Sequence, residues 1–123
     1  EELNPYITID YKLKFSEINN RFIRFLDYLE PFGPSNTKPI FETKNVKDII
    51  DVQLIGKERD TLKFKINNQN GPLDAIGFKM IEHYEKLLSG QDVNIAYTID
   101  KNYWNGKHSL QLVLKDIGYS YNE

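Results

Sequence analysis

Apolar and polar residues follow two different periods along this chain. Residues 6–15 alternate partly, which predicts a short N-terminal strand. Apolar residues then recur at helical spacing, so an amphipathic helix is predicted over 17–30, with Ser16 as its N-cap. The helix should stop at Pro31, because 31–39 is rich in Pro, Gly and Asn and reads as a turn-rich connector.

From Ile40 the apolar residues recur at every second position, which is the period of half-buried strands. A helix interrupts them at Met80–Leu88 and is closed by Gly90. The apolar positions of the five predicted strands are Ile50, Val52 and Leu54; Leu62, Phe64 and Ile66; the run Leu73–Phe78; Val93, Ile95, Tyr97 and Ile99; and Leu110, Leu112 and Leu114.

The order of these elements predicts the fold. Three strands, one helix and two strands indicate a mainly β chain, an OB-fold, in which a five-stranded Greek-key barrel carries a helix between strands three and four. An SH3-like barrel is the main alternative, but it does not require a helix there. We expect a linking segment at 1–38 with the N-terminal strand and helix, the OB-fold domain at 39–118 and a tail at 119–123.

Charge and composition limit the function classes. The net charge is -2, and residues 40–117 carry 11 Lys plus Arg against 11 Asp plus Glu. A role in nucleic-acid binding must therefore rest on a local patch. The chain has no cysteine, which fits a reducing compartment and an expected cytoplasmic location. No signal peptide or membrane span is predicted, and the missing initiator Met suggests a fragment of a longer protein.

The binding residues of an OB-fold are expected on strands two and three and on the loops that flank them. Aromatic faces there stack on bases while nearby cations meet phosphates. Asn105-Gly106 predicts a tight hairpin between the last two strands. The candidate nucleic-acid-binding residues are Lys57, Arg59, Lys63, Lys65, Lys101, Tyr103, Trp104, Asn105 and Lys107. Hairpin aromatics can instead cap a barrel, and exposed lysines can serve solvation or edge protection.

No catalytic constellation is apparent. His83 and His108 have no acidic partner at the spacing of metal ligands, and Asp48 and Asp51 fit the polar entry to a strand. Glycine-rich phosphate loops and nucleophile motifs are missing from the sequence. We therefore predict no catalytic residues, metal or cofactor in this chain, and no enzymatic activity of its own.

The predicted N-terminal helix has a wide apolar face. It could pack on the barrel or dock on a neighbouring domain, and both interpretations stay open at this point. The candidate interdomain residues are Phe22, Phe25, Leu29 and Phe32.

Three stretches of the sequence resemble the RecJ-type single-strand-specific exonucleases, in order and over about residues 7–118. They are Leu29-Glu-Pro-Phe-Gly-Pro-Ser-Asn36 with Pro39-Ile-Phe41; Leu73-Asp-Ala-Ile-Gly-Phe78; and Asn102–Ile117, with Trp104, Asn105-Gly106, Gln111-Leu112 and Lys115-Asp116-Ile117. Ser35 stands where the family pattern has Gly. The third stretch is the most specific, because its residues rarely recur at this spacing by chance.

The resemblance implies an OB-fold module of a nuclease that degrades single-stranded DNA from the five-prime end in repair and recombination. The family's Mn or Mg is held by Asp and His motifs of an N-terminal domain, and no consecutive Asp-His-His occurs here. The implied partners are single-stranded DNA, the missing nuclease domains and a single-strand-binding protein. The rival interpretation is a protein-interaction or bracing module without direct DNA contact.

Overall fold

The computed structural model describes residues 3–119, with the backbone but not the side chains of Tyr103, Trp104 and His108. Two helices, two 3-10 turns and seven strands form the described fold. In chain order they are β1 (Tyr11–Lys12), a 3-10 turn (Phe15–Glu17), α1 (Asn20–Leu29), β2 (Phe41–Val46), β3 (Ile49–Ile55), β4 (Thr61–Ile66), β5 (Leu73–Gly77), a 3-10 turn (Ile81–His83), α2 (Tyr84–Leu88), β6 (Val93–Trp104) and β7 (Lys107–Tyr119).

The strands form one sheet in the order β1-β2-β6-β7-β5-β4-β3. Because β2 and β3 are the two halves of one bent strand, the sheet curls into a barrel. Asn45 and Asp48 make the bend with φ of 55° and 58°, in the left-handed region that Asn and Asp tolerate better than most residues. β5 and β7 pair in parallel. This is the Greek-key order of an OB-fold, so the predicted fold is confirmed.

The barrel interior follows the predicted alternation on β4 and β6, but the prediction that Ile50 shares a face with Val52 and Leu54 is wrong: Ile50 is 40% exposed, because the register of β3 shifts between Ile50 and Gln53. Leu62, Phe64 and Ile66 of β4 are 0%, 0% and 1% exposed, whereas Lys63 and Lys65 face outward. On β5, Gly77 faces inward where a Cβ would lie 2.6 Å from Sδ of Met80, which explains the small residue there. The short helix α2 follows directly and buries Leu87. The predicted helix at 80–88 is thus a 3-10 turn and one α-helical segment that begins at Tyr84.

Helix α1 packs against the core of the barrel. Its residue Leu26 and the preceding Ile18 are both 5% exposed, and the ring of Phe22 lies edge-on to Phe41 with centroids 5.6 Å apart. The prediction that this helix begins at residue 17 with a Ser16 cap is wrong. The chain first makes a 3-10 turn, and Asn19 is the actual N-cap, whose Oδ1 accepts a hydrogen bond from the Phe22 amide at 3.0 Å.

The N-terminal strand is also shorter than the predicted 6–15. Only Tyr11–Lys12 pairs as a strand, in parallel with the first two residues of β2. Next to it, the Asp10 and Leu13 amides donate to Ile40 and Glu42 at 2.8 Å each, so the segment still runs along the edge of β2. The following 3-10 turn ends the pairing, because the chain has to leave the sheet to enter α1. At the C-terminal end, β7 continues to Tyr119, which is 3% exposed.

The connector between α1 and β2 is held by one amide side chain. Nδ2 of Asn36 donates to the carbonyls of Leu29 and Pro31 at 2.8 and 2.7 Å. Gly33 and Asn36 exchange two backbone hydrogen bonds, at 2.8 and 3.0 Å. Asn36, the last residue of the Leu29–Asn36 stretch, therefore has a structural role. Its side chain satisfies a carbonyl that the end of the helix leaves without a partner.

A buried chain of hydrogen bonds ties the N-terminal segment to the barrel. Thr43 Oγ1 donates to the Leu13 carbonyl at 2.7 Å. The Tyr97 hydroxyl lies 2.7 Å from Thr43 Oγ1. Thr43 therefore accepts from Tyr97 while it donates to Leu13. Burial, the largest cause, raises the pKa of the Tyr97 hydroxyl above its ordinary value, and the hydrogen bond with Thr43 opposes that shift. Tyr97 remains a neutral donor at physiological pH.

We expect Thr43→Val to lower the free energy of unfolding by about 2 kcal/mol, because it leaves the Tyr97 hydroxyl and the Leu13 carbonyl buried without partners. Adding Tyr97→Phe should recover part of that loss, since the unpaired hydroxyl is then gone. Urea unfolding measures both changes. Thr61→Val, at a half-buried threonine of β4, is the matched control. A Thr43→Val effect as small as that of the control would contradict this role.

Candidate nucleic-acid interface

The outer face of β3, β4 and β5 presents two lysines in neighbouring rows. Lys63 lies between Gln53 of β3 and Ile76 of β5, and Lys65 lies between Ile50 and Asp74. Neither lysine makes an ion pair with any residue that the structure describes. Their ammonium groups are therefore available to a ligand on this face, although Asp74 offsets part of the charge.

One loop borders this face between β3 and β4. Gly56, with φ of 90°, allows the tight turn there, and Lys57 is fully on the surface. Arg59, another candidate, turns back on its own loop: its Nη1 donates to the Leu54 carbonyl at 3.3 Å. Lys57 is therefore the loop cation more open to a phosphate, and Arg59 must give up a hydrogen bond to reach one.

The β6–β7 hairpin supplies the second loop. The two strands pair as far as Trp104 with Lys107, and Asn105 and Gly106 have φ of 50° and 76°, as a type I′ turn requires. Asn105 and Lys107 are exposed. The side chains of Tyr103 and Trp104 lie outside the described part of the structure, so their role as ligand contacts stays a prediction.

Lys101 has a different environment from the other candidate cations. Its ammonium group forms an ion pair with Asp27 and lies 3.4 Å from Oε1 of Glu30, and its side chain is only 17% exposed. Both carboxylates belong to the C-terminal end of α1 and the residue after it. Lys101 thus differs from Lys63 and Lys65: its charge is paired with two carboxylates, and theirs are not paired with any described residue.

Phe78 is an exposed aromatic residue that the sequence interpretation did not select. It is 61% exposed and directly follows β5, next to the row of Leu62 and Gly77. The signal was present in the sequence: if Leu73, Ala75 and Gly77 face inward, then Asp74, Ile76 and Phe78 continue the outer side of the strand. An exposed aromatic ring thus follows the strand whose outer side pairs with the two lysines, and aromatic rings and cations are the groups that stack on bases and meet phosphates.

The candidate interdomain residues differ in how much of each side chain is exposed. Phe22 is half-buried and packs against the core, and Leu29 and Phe32 are half-buried as well. Phe25 is 38% exposed and meets Tyr11 edge-on, with ring centroids 6.0 Å apart. Of the two interpretations of the apolar helix face, packing on the barrel holds for most of it, while the side around Phe25 stays open to solvent.

Metal ligands are not clustered in the described residues. No three Asp, Glu or His side chains there come close enough to hold an ion together. Neither helix in that part of the chain has the length and apolar character to cross a bilayer.

The strand order and the helix between the third and fourth barrel strands define an OB-fold domain, and the outer face that carries Lys63 and Lys65 is called the basic face below. A family model described as the RecJ OB domain matches residues 9–116, and the chain belongs to this family.

Two curated relatives are single-stranded-DNA-specific exonucleases named RecJ. The protein from Bacillus subtilis (strain 168) is 30% identical over 98% of this chain and 15% of its own length. The protein from Haemophilus influenzae is 28% identical over 95% of this chain and 20% of its own length. The chain therefore spans about a fifth or less of these relatives. A crystal structure of RecJ from Thermus thermophilus, in complex with Mn2+, aligns with a TM-score of 0.63 at 18% identity, over 94% of this chain and 16% of that one.

Proposed function

We propose that this chain is the single-stranded-DNA-binding module of a RecJ exonuclease acting in DNA repair and recombination in the cytoplasm. The observation that carries the proposal is the outer face of β4 and β5, where Lys63 and Lys65 have no ion-pair partner among the described residues and an exposed Phe78 directly follows β5. In OB-folds this is the side on which oligonucleotides lie. The relatives named as single-strand-specific nucleases support the choice of a single strand over a duplex.

A module without net positive charge can still serve this role. Its patch needs only modest affinity, because attachment to the nuclease turns strand capture into an intramolecular step with a high effective concentration. The module would hold the entering strand and guide it to a reaction centre elsewhere in the protein. We do not assign the metal of that centre to this chain, since its described residues offer no cluster of ligands for one.

A second candidate function rests on the exposed aromatic side of α1. Tyr28 is 85% exposed, Tyr11 is 46% exposed and Phe25 is 38% exposed, on the segment that precedes the barrel. Such a surface suits contact with another domain of the parent protein, which would make the module a brace. The two functions use different faces, so one can fail without the other.

We expect oligo-dT to quench the fluorescence of Trp104, the only Trp of the chain, with saturation at low salt and weaker binding as salt is added. Each phosphate neutralised by the protein should contribute about 0.7 to the slope of log K against log salt. A fluorescein-labelled oligonucleotide gives an independent anisotropy signal for binding anywhere on the domain.

The two signals separate the outcomes. Anisotropy without quenching would keep the binding function and remove Trp104 from the interface. If neither signal appears at low salt, direct DNA binding by this chain is contradicted and the bracing function is favoured. In that case Tyr28→Ser, at a residue that is 85% exposed, should lower the melting temperature of the parent protein while leaving that of the isolated domain nearly unchanged.

A further inference from the structure

The β6–β7 hairpin extends beyond the barrel as a two-stranded arm. The last described pair between β5 and β7 is Asp74 with Gln111, opposite Asp100 of β6. From Lys101 onwards β6 pairs only with β7 among the described strands. Two strands alone hold their shape poorly in water. The direction of the arm must therefore be set by contacts at its root.

One root contact comes from α1. The Lys101 ammonium group joins Asp27 and Glu30, as described above, and the stem of Lys101 lines a small recess with Leu26, Phe32 and Ile99. The Lys101 side chain is 17% exposed, so its ion pairs are screened less by water and salt than those of a fully exposed lysine, while the side chains of Asp27 and Glu30 are 54% and 47% exposed. It ties the first residue of the free arm to the end of the helix.

A second root contact comes from the connector. Asp100, the neighbour of Lys101 in β6, forms an ion pair with Lys38. Successive residues of a strand point to opposite faces of the sheet. The arm is thus held on both faces at consecutive positions, by α1 through Lys101 and by the connector through Asp100.

We propose that Lys101 is a positioning residue, which fixes the Trp104 hairpin relative to the basic face by its ion pairs with Asp27 and Glu30, instead of contacting a phosphate itself. This inference rests on the proposed DNA-binding function and deepens it. It makes α1 part of the binding site, because any displacement of the helix is passed to the hairpin through Lys101.

Lys101→Met, which keeps the apolar stem and removes the charge, tests the inference in two ways. Without DNA, time-resolved fluorescence anisotropy should show larger motion of Trp104. With oligo-dT, the dissociation constant should rise by about tenfold through lost preorganisation, while the salt slope stays that of the unchanged chain. The exchange Asp27→Lys with Lys101→Glu, made together with Glu30→Gln so that no like charge faces the new Glu, should restore both values, because the ion pair is rebuilt with its charges reversed.

Lys47→Met is the matched control, since it removes the ion pair between Lys47 and Asp92 elsewhere and should change neither signal. A salt slope lowered by about 0.7 in Lys101→Met, with unchanged anisotropy and no rescue by the exchange, would identify a direct phosphate contact and overturn the proposal. If the unchanged chain binds no oligonucleotide, the anisotropy of Trp104 still decides: unaltered motion in Lys101→Met contradicts the positioning role, and increased motion supports it.

Discussion

A chain that begins at Pro39 is expected to lose the cooperative unfolding transition of the full chain. The shortened chain would lack Leu13, Ile18 and Leu26, which are 8%, 5% and 5% exposed in the intact fold. Burial of each such side chain contributes roughly 1.5–3 kcal/mol. The combined loss, about 4–9 kcal/mol, is comparable with the whole stability of a domain of this size. It also breaks the hydrogen bond between Thr43 and Leu13.

Circular dichroism during urea titration measures this loss, and two substitutions in the full chain separate packing from helix formation. Leu26→Ala should lower the free energy of unfolding by about 3 kcal/mol, because it leaves a cavity under α1. Tyr28→Ala, on the same helix but 85% exposed, should change it by less than about 0.5 kcal/mol. A shortened chain that unfolds with the midpoint of the full chain would show that residues 1–38 are a dispensable linker.

Neutralising both lysines of the basic face is expected to have the largest effect on DNA affinity. If Lys63 and Lys65 each meet one phosphate, Lys63→Gln with Lys65→Gln should lower the salt slope for a single strand by about 1.4. Extrapolated from 1 M salt, that slope corresponds to an affinity loss of about 60-fold at 50 mM and about tenfold at 200 mM. Titrations of labelled oligo-dT at several salt concentrations give the slope directly.

Lys12→Gln with Lys44→Gln provides the control for net charge. These residues lie on β1 and β2, neither of which pairs with β4 or β5, and both are exposed. The control removes the same charge and should leave the slope nearly unchanged. If both pairs lower the affinity equally, the binding is a response to overall charge and does not depend on a particular face.

Much of the barrel could be predicted from the sequence because its signals are local. The alternation around Phe64 sets which residues of β4 face inward, and Asn105-Gly106 specifies the hairpin through its backbone conformation alone. The start of α1 could not be predicted in the same way. Ser16 and Asn19 are both good N-caps, and the choice between them depends on the 3-10 turn that carries the chain out of the sheet.

The residues of the candidate site also divide into those that a local sequence pattern predicts and those that depend on the tertiary structure. Lys63 and Lys65 can be predicted from the sequence, because their outward direction follows from the period of the strand. The ion pairs of Lys101 join residues more than 70 positions apart, so no local pattern predicts them. The exposure of Phe78 is hard to predict for another reason: Phe78 ends an apolar run, and an apolar run alone does not distinguish a buried strand from one with an exposed outer side.

The bend between β2 and β3 has a consequence for how this domain behaves at high concentration. Among the described strands, β3 pairs along one edge only, with β4, so its other edge could template a further strand. Asp48 and Asp51 are exposed and have φ of 58° and 55°, so the backbone of this strand is irregular where two acidic residues stand. An irregular, charged strand is a poor template for intermolecular pairing. Asp48, which helps to make the bend, thus also protects the domain against edge-to-edge aggregation.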